Sequence, residues 1–457
     1  MEQMDSTVIA TSLPAIASDI GTSPVALKLA LTAYLVSLAI FIPVSGWMAE
    51  RFGAKRVFRI AIGVFVVGSV ACAFAGSLGA FVVARFVQGM GGAMMTPVAR
   101  LVLVRATPKS ELVQAMAWLT IPGLIGPLIG PPVGGFITTF VTWHWIFLIN
   151  LPIGLAGIYL AGRVLPDIEP SGGGSLDRKG FVLSALAASG IVFGLSVVSL
   201  PALPPAVGLA TALFGLACGW LYVRHARRTP APILDLRLFS NPVFRAGILG
   251  GSLFRIGAGA VPFLLPLFFQ LGFGMTPFQS GMLTFASAGG AILLKFMASA
   301  ALRAGGFRNV LIAGGLAGAA FIGINASFTA GTPWPVIVAV LFASGFLRSL
   351  FFTSVNALVF AEISEAQAAQ ATALAAATQQ ISIALGVAVA GGALEAISLI
   401  TGEALTTHAF VWAFLIVAAL TSFAALPFVW LDPDAGSSVS GKAPVARSTT
   451  PINPPQE

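Results

Sequence analysis

The chain has 457 residues, of which 57% are hydrophobic and only 9% charged, with a mean hydropathy of +0.95. Soluble domains carry about 25% charged residues, so no soluble fold could hide this much apolar surface and the class is a polytopic membrane protein. The net charge of +8 and pI of about 10.1 do not indicate a nucleic-acid partner, because the bases lie in short loops on alternate sides of apolar runs, which is a topology signal.

A spanning helix needs about 20 apolar residues. The pattern predicts fourteen, at 1–18, 26–49, 57–76, 80–104, 112–140, 145–165, 181–200, 204–223, 243–270, 278–301, 309–329, 335–361, 367–400 and 409–431. No ten-residue alternation recurs, so a β-barrel is not expected. Cys72 and Cys218 fall inside apolar runs and three histidines are scattered, which gives neither a disulfide framework nor a metal centre. The acidic start is not a signal peptide.

Orientation follows from the bases. One set of loops holds Arg51, Lys55 and Arg56, then Arg105 and Lys109, Arg178 and Lys179, Arg224 to Arg237, and Arg303 and Arg308; the opposite loops hold none. The basic loops are therefore expected in the cytoplasm, with both termini. "GTSP" at 21–24 and "GMTP" at 274–277, and "GAKRVF" at 53–58 and "GFRNVL" at 306–311, repeat at one offset of 253 residues. The repeat predicts a six-helix half over 1–165, two inserted helices with cytoplasmic linkers over 166–242, and a second half over 243–431. The Pro/Ser-rich tail over 432–457 reads as disordered. Parallel repeats place a binding site at the midplane between the halves.

Taken in chain order, "MEQMDSTVIATSLPAIA" (1–17) opens with two acids. On a helix Glu2 and Asp5 share a face, and a carboxyl in a low-dielectric interior can exchange a proton near neutral pH. No other acid is assigned to the membrane interior: Glu362 and Glu365 read as loop residues, Glu395 and Glu403 as lying towards the outer surface. In "GWMAERFGAKRVF" (46–58), Gly46 and Gly53 permit close approach and a tight turn, Glu50 can pair with bases, and Arg51, Lys55 and Arg56 hold the loop inside. "RFVQGMGGAMMTP" (85–97) puts Arg85 and Gln88 three apart, deep in an apolar run, where a guanidinium needs a bundle partner. "GLIGPLIGPPVGGFI" (123–137) carries Gly126, Gly130, Pro131, Gly134 and Gly135, a smooth seam with a proline bend. Arg255 and Arg348 sit mid-span and favour a cavity role, Lys295 can snorkel, and Gln379 and Gln380 either face the cavity or bond between helices.

The loop at 46–58 resembles the loop signature of the major facilitator superfamily, with Glu50 where an Asp is usual. The run at 85–97 resembles its fourth-helix motif, whose Arg helps govern proton release. The 123–137 seam resembles the fifth-helix signature of drug–proton antiporters, and 4–17 and 143–154 resemble further signatures of the fourteen-helix antiporters. The similarity covers nearly the whole chain, which is thereby identified as a bacterial member of that multidrug-resistance family. It implies proton-coupled export of drugs or other amphipathic molecules across the cytoplasmic membrane by alternating access. Asp5, Glu2 and Arg85 would couple protons, the loop at 46–58 would latch one state, and Gln88, Arg255, Arg348, Gln379 and Gln380 would line the cavity. A monomer needing no cofactor, nucleotide or metal is expected. The alternatives are export of one metabolite, lipid or siderophore-like anion, which the bases Arg255, Arg348 and Lys295 would suit, and an intramembrane enzyme, for which no clustered acids or Ser/His pair is seen. A non-transporting sensor is a third, and the short tail offers it no effector domain.

One expectation concerns the first helix. Helix nine begins 32 residues before Gly274, whereas only 20 residues precede the equivalent Gly21. The reading is that opening turns of helix one are missing and that Glu2 and Asp5 would otherwise lie nearer its middle; a short helix in a thinned bilayer is the alternative.

Overall fold

In a computed structural model, residues 1–106, 126, 129–166, 175–198, 203–402 and 405–436 are described. All regular structure among them is helical. The chain enters through α1 (Glu2–Val8), a 3₁₀ turn (Ile9–Ser12) and α2 (Leu13–Asp19), then α3 (Lys28–Phe52), α4 (Ala54–Ala73) and α5 (Leu78–Ala106). A helix over 129–140, here α6, precedes α7 (Trp145–Leu148) and α8 (Asn150–Val164). The inserted pair is α9 (Arg178–Val198) and α10 (Pro205–Ala226). Then follow α11 (Pro242–Leu267), which ends in a π turn, α12 (Pro277–Ile324), α13 (Trp334–Phe360), α14 (Glu365–Thr401), α15 (Thr407–Ser422) and α16 (Leu426–Val429).

Eleven of the predicted spans are helices long and apolar enough to cross a membrane. The other three differ for local reasons. The first is broken by the 3₁₀ turn before Pro14, the fifth falls largely outside the described residues, and the tenth runs on into the eleventh as α12, with a kink at Gly306. Helix starts obey local chemistry. The Asn241 side chain accepts from the amides of Val243 and Phe244 at 2.8 and 3.0 Å ahead of Pro242, and Thr276 and Gln279 form a reciprocal capping box on α12.

The repeat has a backbone counterpart. Gly21 and Gly274 have φ of 68° and 67°, and Gly53 and Gly306 have 86° and 70°; both pairs are 253 residues apart and sit where only glycine is unstrained. Gly53 alone joins α3 to α4 and so makes the tight turn expected of the 46–58 loop. Gly46 has open space around it and permits no close approach, contrary to expectation. Arg56 is exposed on this loop.

The halves meet at the end of the bundle that lacks basic loops. There Gln270 Nε2 donates to the Thr11 carbonyl at 2.9 Å and the Phe278 amide donates to Thr139 Oγ1 at 3.2 Å. Glu395, read from sequence as lying towards the outer surface, is instead buried (7% exposed) and takes a 2.5 Å hydrogen bond from Lys28 Nζ. The Lys28 stem lies against Gly391 of α14. The inserted pair packs through its glycines, Gly190 against Gly215 and Gly194 against Ala212, and α9 touches both α3 and α14. On the basic-loop side Asp177 caps α9, accepting from the Gly180 amide at 2.8 Å, and pairs with His225 Nε2 at 2.7 Å.

Candidate functional site

Asp5 sits on α1 with its side chain buried against α5 and α8. Arg85 Nη1 donates to its Oδ2 at 2.5 Å, while Gln88 Nε2 and Asn150 Nδ2 donate to Oδ1 at 2.9 and 3.2 Å. Gln88 and Asn150 also donate to Ser69 Oγ, and Arg85 Nη1 reaches Gln88 Oε1 as well. Arg85 is fully buried and lies 4.2 Å over the Tyr34 ring. The sequence builds this cluster locally. Arg85 and Gln88 share one face of α5, and Gly68 on α4 lies so close to the Gln88 backbone that a Cβ there would be 2.5 Å from its amide nitrogen. Gly89 likewise faces the Tyr34 carbonyl of α3. The small residues of 85–97 thus bring α3, α4 and α5 together around the ion pair.

Charge-assisted hydrogen bonds of this kind are about twice as strong as neutral ones, and in an apolar bundle neither partner is tolerable alone. A proton on Asp5 would cancel its charge and weaken every donor contact at once. Arg85 Nε and Nη2 make no hydrogen bond among the described residues, so the guanidinium is already held from one side only.

Glu2 does not join this network. Its Oε2 accepts from Thr96 Oγ1 at 2.7 Å on α5, and it opens on a cavity. Two hollows of about 390 and 270 Å³ lie between the halves and share Thr7, Ala10, Pro262, Arg348 and Phe352 on their walls. Gln379 and Gln380 of α14 line the smaller one, together with Glu2, Arg85 and Arg348.

Two expected lining residues lie elsewhere. Gln88 is wholly buried in the Asp5 network, where Asp5 and Ser69 hold its amide inside the N-terminal half. Arg255 stands behind the wall, where its Nη2 donates to Asn356 at 2.9 Å and its guanidinium lies 5.3 Å over Phe352; Asn356 and Phe352 take the lining positions. Lys295 has no described side chain. The glycine seam packs as a seam: Gly126 faces Met4, Gly130 faces Thr7, Gly134 faces the Val8 carbonyl, and Gly135 faces the Pro277 carbonyl of α12. Pro131 presents its carbonyl to Gly281.

Sequence reasoning missed Asn150, Ser69, Lys28 and Glu395. Asn150 lies inside the run "WHWIFLINLPIG" (143–154) and is its only amide. A polar residue amid that much apolar surface is itself the signal.

The family model described as Major Facilitator Superfamily matches residues 1–191 and 247–455. A relative named multidrug resistance protein MdtD from Cronobacter sakazakii is 34% identical over 454 residues, covering 98% of this chain and 94% of that one. The protein of the same name from Yersinia enterocolitica is 33% identical over 442 residues, covering 96% and 94%. Among solved structures, a D-xylose–proton symporter superposes with a TM-score of 0.67 at 16% identity, covering 95% of this chain and 96% of that one. An auto-inhibited POT family peptide transporter gives 0.64 at 17% identity, covering 94% of each. At such identities the structures attest the fold alone, but the family match and the close relatives go further. The chain belongs to the Major Facilitator Superfamily and is a multi-pass membrane transporter of small molecules.

Proposed function

We propose that this transporter exports small amphipathic molecules, drugs among them, across the bacterial cytoplasmic membrane in exchange for protons. It works by alternating access as a monomer, with both termini in the cytoplasm. The observation that carries the reading is the buried Asp5–Arg85–Gln88–Asn150 network beside a cavity that lies between the halves. Protonation of Asp5 would release Arg85 and alter how α1 packs on α5, and α1 lines the cavity through Thr7. The relatives named multidrug resistance protein support the substrate class.

The test is efflux from proteoliposomes under an imposed pH gradient. Wild-type protein should move a lipophilic drug against its gradient when protons run the other way, and Asp5→Asn should not. Gradient-driven efflux by Asp5→Asn would refute the assignment.

A second reading, export of one anionic metabolite or siderophore-like compound, is favoured by Arg348, which faces the cavity with no acidic partner among the described residues. Rates for matched panels of cations and anions in the same liposomes separate the two.

A further inference from the structure

Three charged side chains open on the smaller hollow: Glu2, Arg85 and Arg348. Arg85 is matched by Asp5. The other two have no ion-pair partner among the described residues and come from opposite halves. Glu2, on α1, is hydrogen-bonded by the neutral side chains of Thr96 and Gln3 and lies in the field of the adjacent amino terminus of Met1, with no acid–base side-chain pair. Arg348, on α13, makes no hydrogen bond among the described residues. Both belong to one hollow of about 270 Å³, widened by the adjoining hollow of about 390 Å³.

We infer that the cavity is built for a dipolar substrate, whose cationic end lies against Glu2 and whose anionic end lies against Arg348. A charge in an apolar surround is costly unless it is paired. A cation would answer Glu2 and leave Arg348 without a partner, and an anion would do the reverse. A zwitterion answers both, and Gln379 and Gln380 supply neutral donors and acceptors beside it. The repeat gives the asymmetry a structural origin. Position 255 is the counterpart of position 2 at the 253-residue offset, and it carries Arg255 where the first half carries Glu2. Glu2 bonds Thr96 on α5, and Arg255 bonds Asn356 on α13 behind the wall, so that Arg348 is the base that faces the cavity from the second half.

This inference rests on the exporter reading, and one set of probes tests both. Norfloxacin carries a carboxylate and a secondary ammonium at opposite ends; its ethyl ester is a cation and its N-acetyl derivative an anion, with nearly the same shape. Binding is measured by equilibrium dialysis on the purified full chain in nanodiscs. Norfloxacin should bind at least tenfold tighter than either derivative. Arg348→Gln should lower it to the level of the ester without changing the ester, Glu2→Gln should lower it to the level of the N-acetyl compound, and Arg348→Lys should keep the preference. Equal affinities for the three probes, no binding of any, or equal losses for all three in both variants would overturn the dipolar site. Proteoliposomes separate the two claims. Charge-selective binding without pH-driven movement refutes proton-coupled export and leaves the dipolar site standing. Movement of all three at one rate keeps export and overturns the dipolar site.

Discussion

The Lys28–Glu395 pair gives the sharpest numerical expectation. It joins α3 to α14, and both side chains are shielded from solvent. Glu395→Gln removes the carboxylate that holds the Lys28 ammonium at 2.5 Å. Breaking a buried ion pair from one side costs about 3–5 kcal/mol, whereas replacing both partners by apolar groups of similar size is often neutral. Because the pair links the halves, the cost falls on the arrangement in which they touch at this end. About 3 kcal/mol corresponds to a roughly 150-fold change in an equilibrium between that arrangement and one with the end parted. Spin labels at Thr22→Cys, in a loop of this end, and His408→Cys, in the first turn of α15, report the separation by double electron–electron resonance. Glu395→Gln should shift the distribution to longer distances. Lys28→Met combined with Glu395→Leu should restore the short distance to within about 1 kcal/mol, and the reversal Lys28→Glu with Glu395→Lys should do the same. An unchanged distribution in Glu395→Gln, or a double variant as displaced as the single one, would refute the reasoning.

Gly134→Leu and Gly130→Leu should each destabilise by about 1–3 kcal/mol or push α1 off α6, since their Cβ positions are taken by Val8 and Thr7; the readout is loss of efflux with membrane insertion retained. Gly46→Ala should leave efflux and thermal midpoint unchanged, because nothing lies within 4 Å of its Cβ position. Gly53→Ala, at φ 86°, should lower the thermal midpoint by the equivalent of about 1 kcal/mol, measured by thiol-reactive dye unfolding. Asp177→Ala removes the α9 cap and should cost about 1 kcal/mol, seen as faster proteolysis of the linker before α9. Burial alone would push the Asp177 carboxyl up, but the Gly180 amide, His225 and the Ile233 amide outweigh it and hold the value below the usual range. The link is therefore in place above the ordinary carboxylate pKa of about 3.9 and is lost as pH falls through the lowered value. Linker protection should accordingly persist at pH 5 and fail only in stronger acid.

Hydropathy made the spans legible because lipid imposes length and apolarity on each helix separately, with little help from its neighbours. The turn at Gly53 was legible for a similar reason: it is a local backbone demand, and the repeat that links Gly21 to Gly274 and Gly53 to Gly306 has its counterpart in their shared positive φ. What a helix faces is another matter. Each residue turns the helix by about 100°, so a small error in facing separates a cavity position from a core one. That is why Gln88 and Arg255 were placed on the cavity wall and Arg348 was placed correctly on the same kind of evidence. Glu395 failed for a third reason. Counting residues from the span end put it near the surface, and its partner lies 367 residues away in the other half; no local pattern announces such a contact. Lys28 escaped notice because it begins an apolar run and sits next to a base-free loop.

The inserted helices bear on how such a bundle resists deformation. The surface that α9 offers to both halves is aliphatic and aromatic: Val192 clusters with Val36 and Ala384, and Phe181 lies 6.0 Å from Phe41. Dispersion contacts of this kind are individually weak and have no strong direction, so their sum changes little when two greasy faces are displaced by a fraction of a side chain. The glycine contacts between α9 and α10 are the opposite, with backbones too close for either helix to slip along the other. The pair therefore behaves as one stiff plank lying on a lubricated bearing. Friction in the assembly is concentrated instead at the far end, where the Lys28–Glu395 pair and the Gln270 and Phe278 hydrogen bonds depend steeply on distance and angle. A shearing load on the molecule would slide first along α9 and meet its detent at those polar contacts and at the close glycine contacts of α6 with α12.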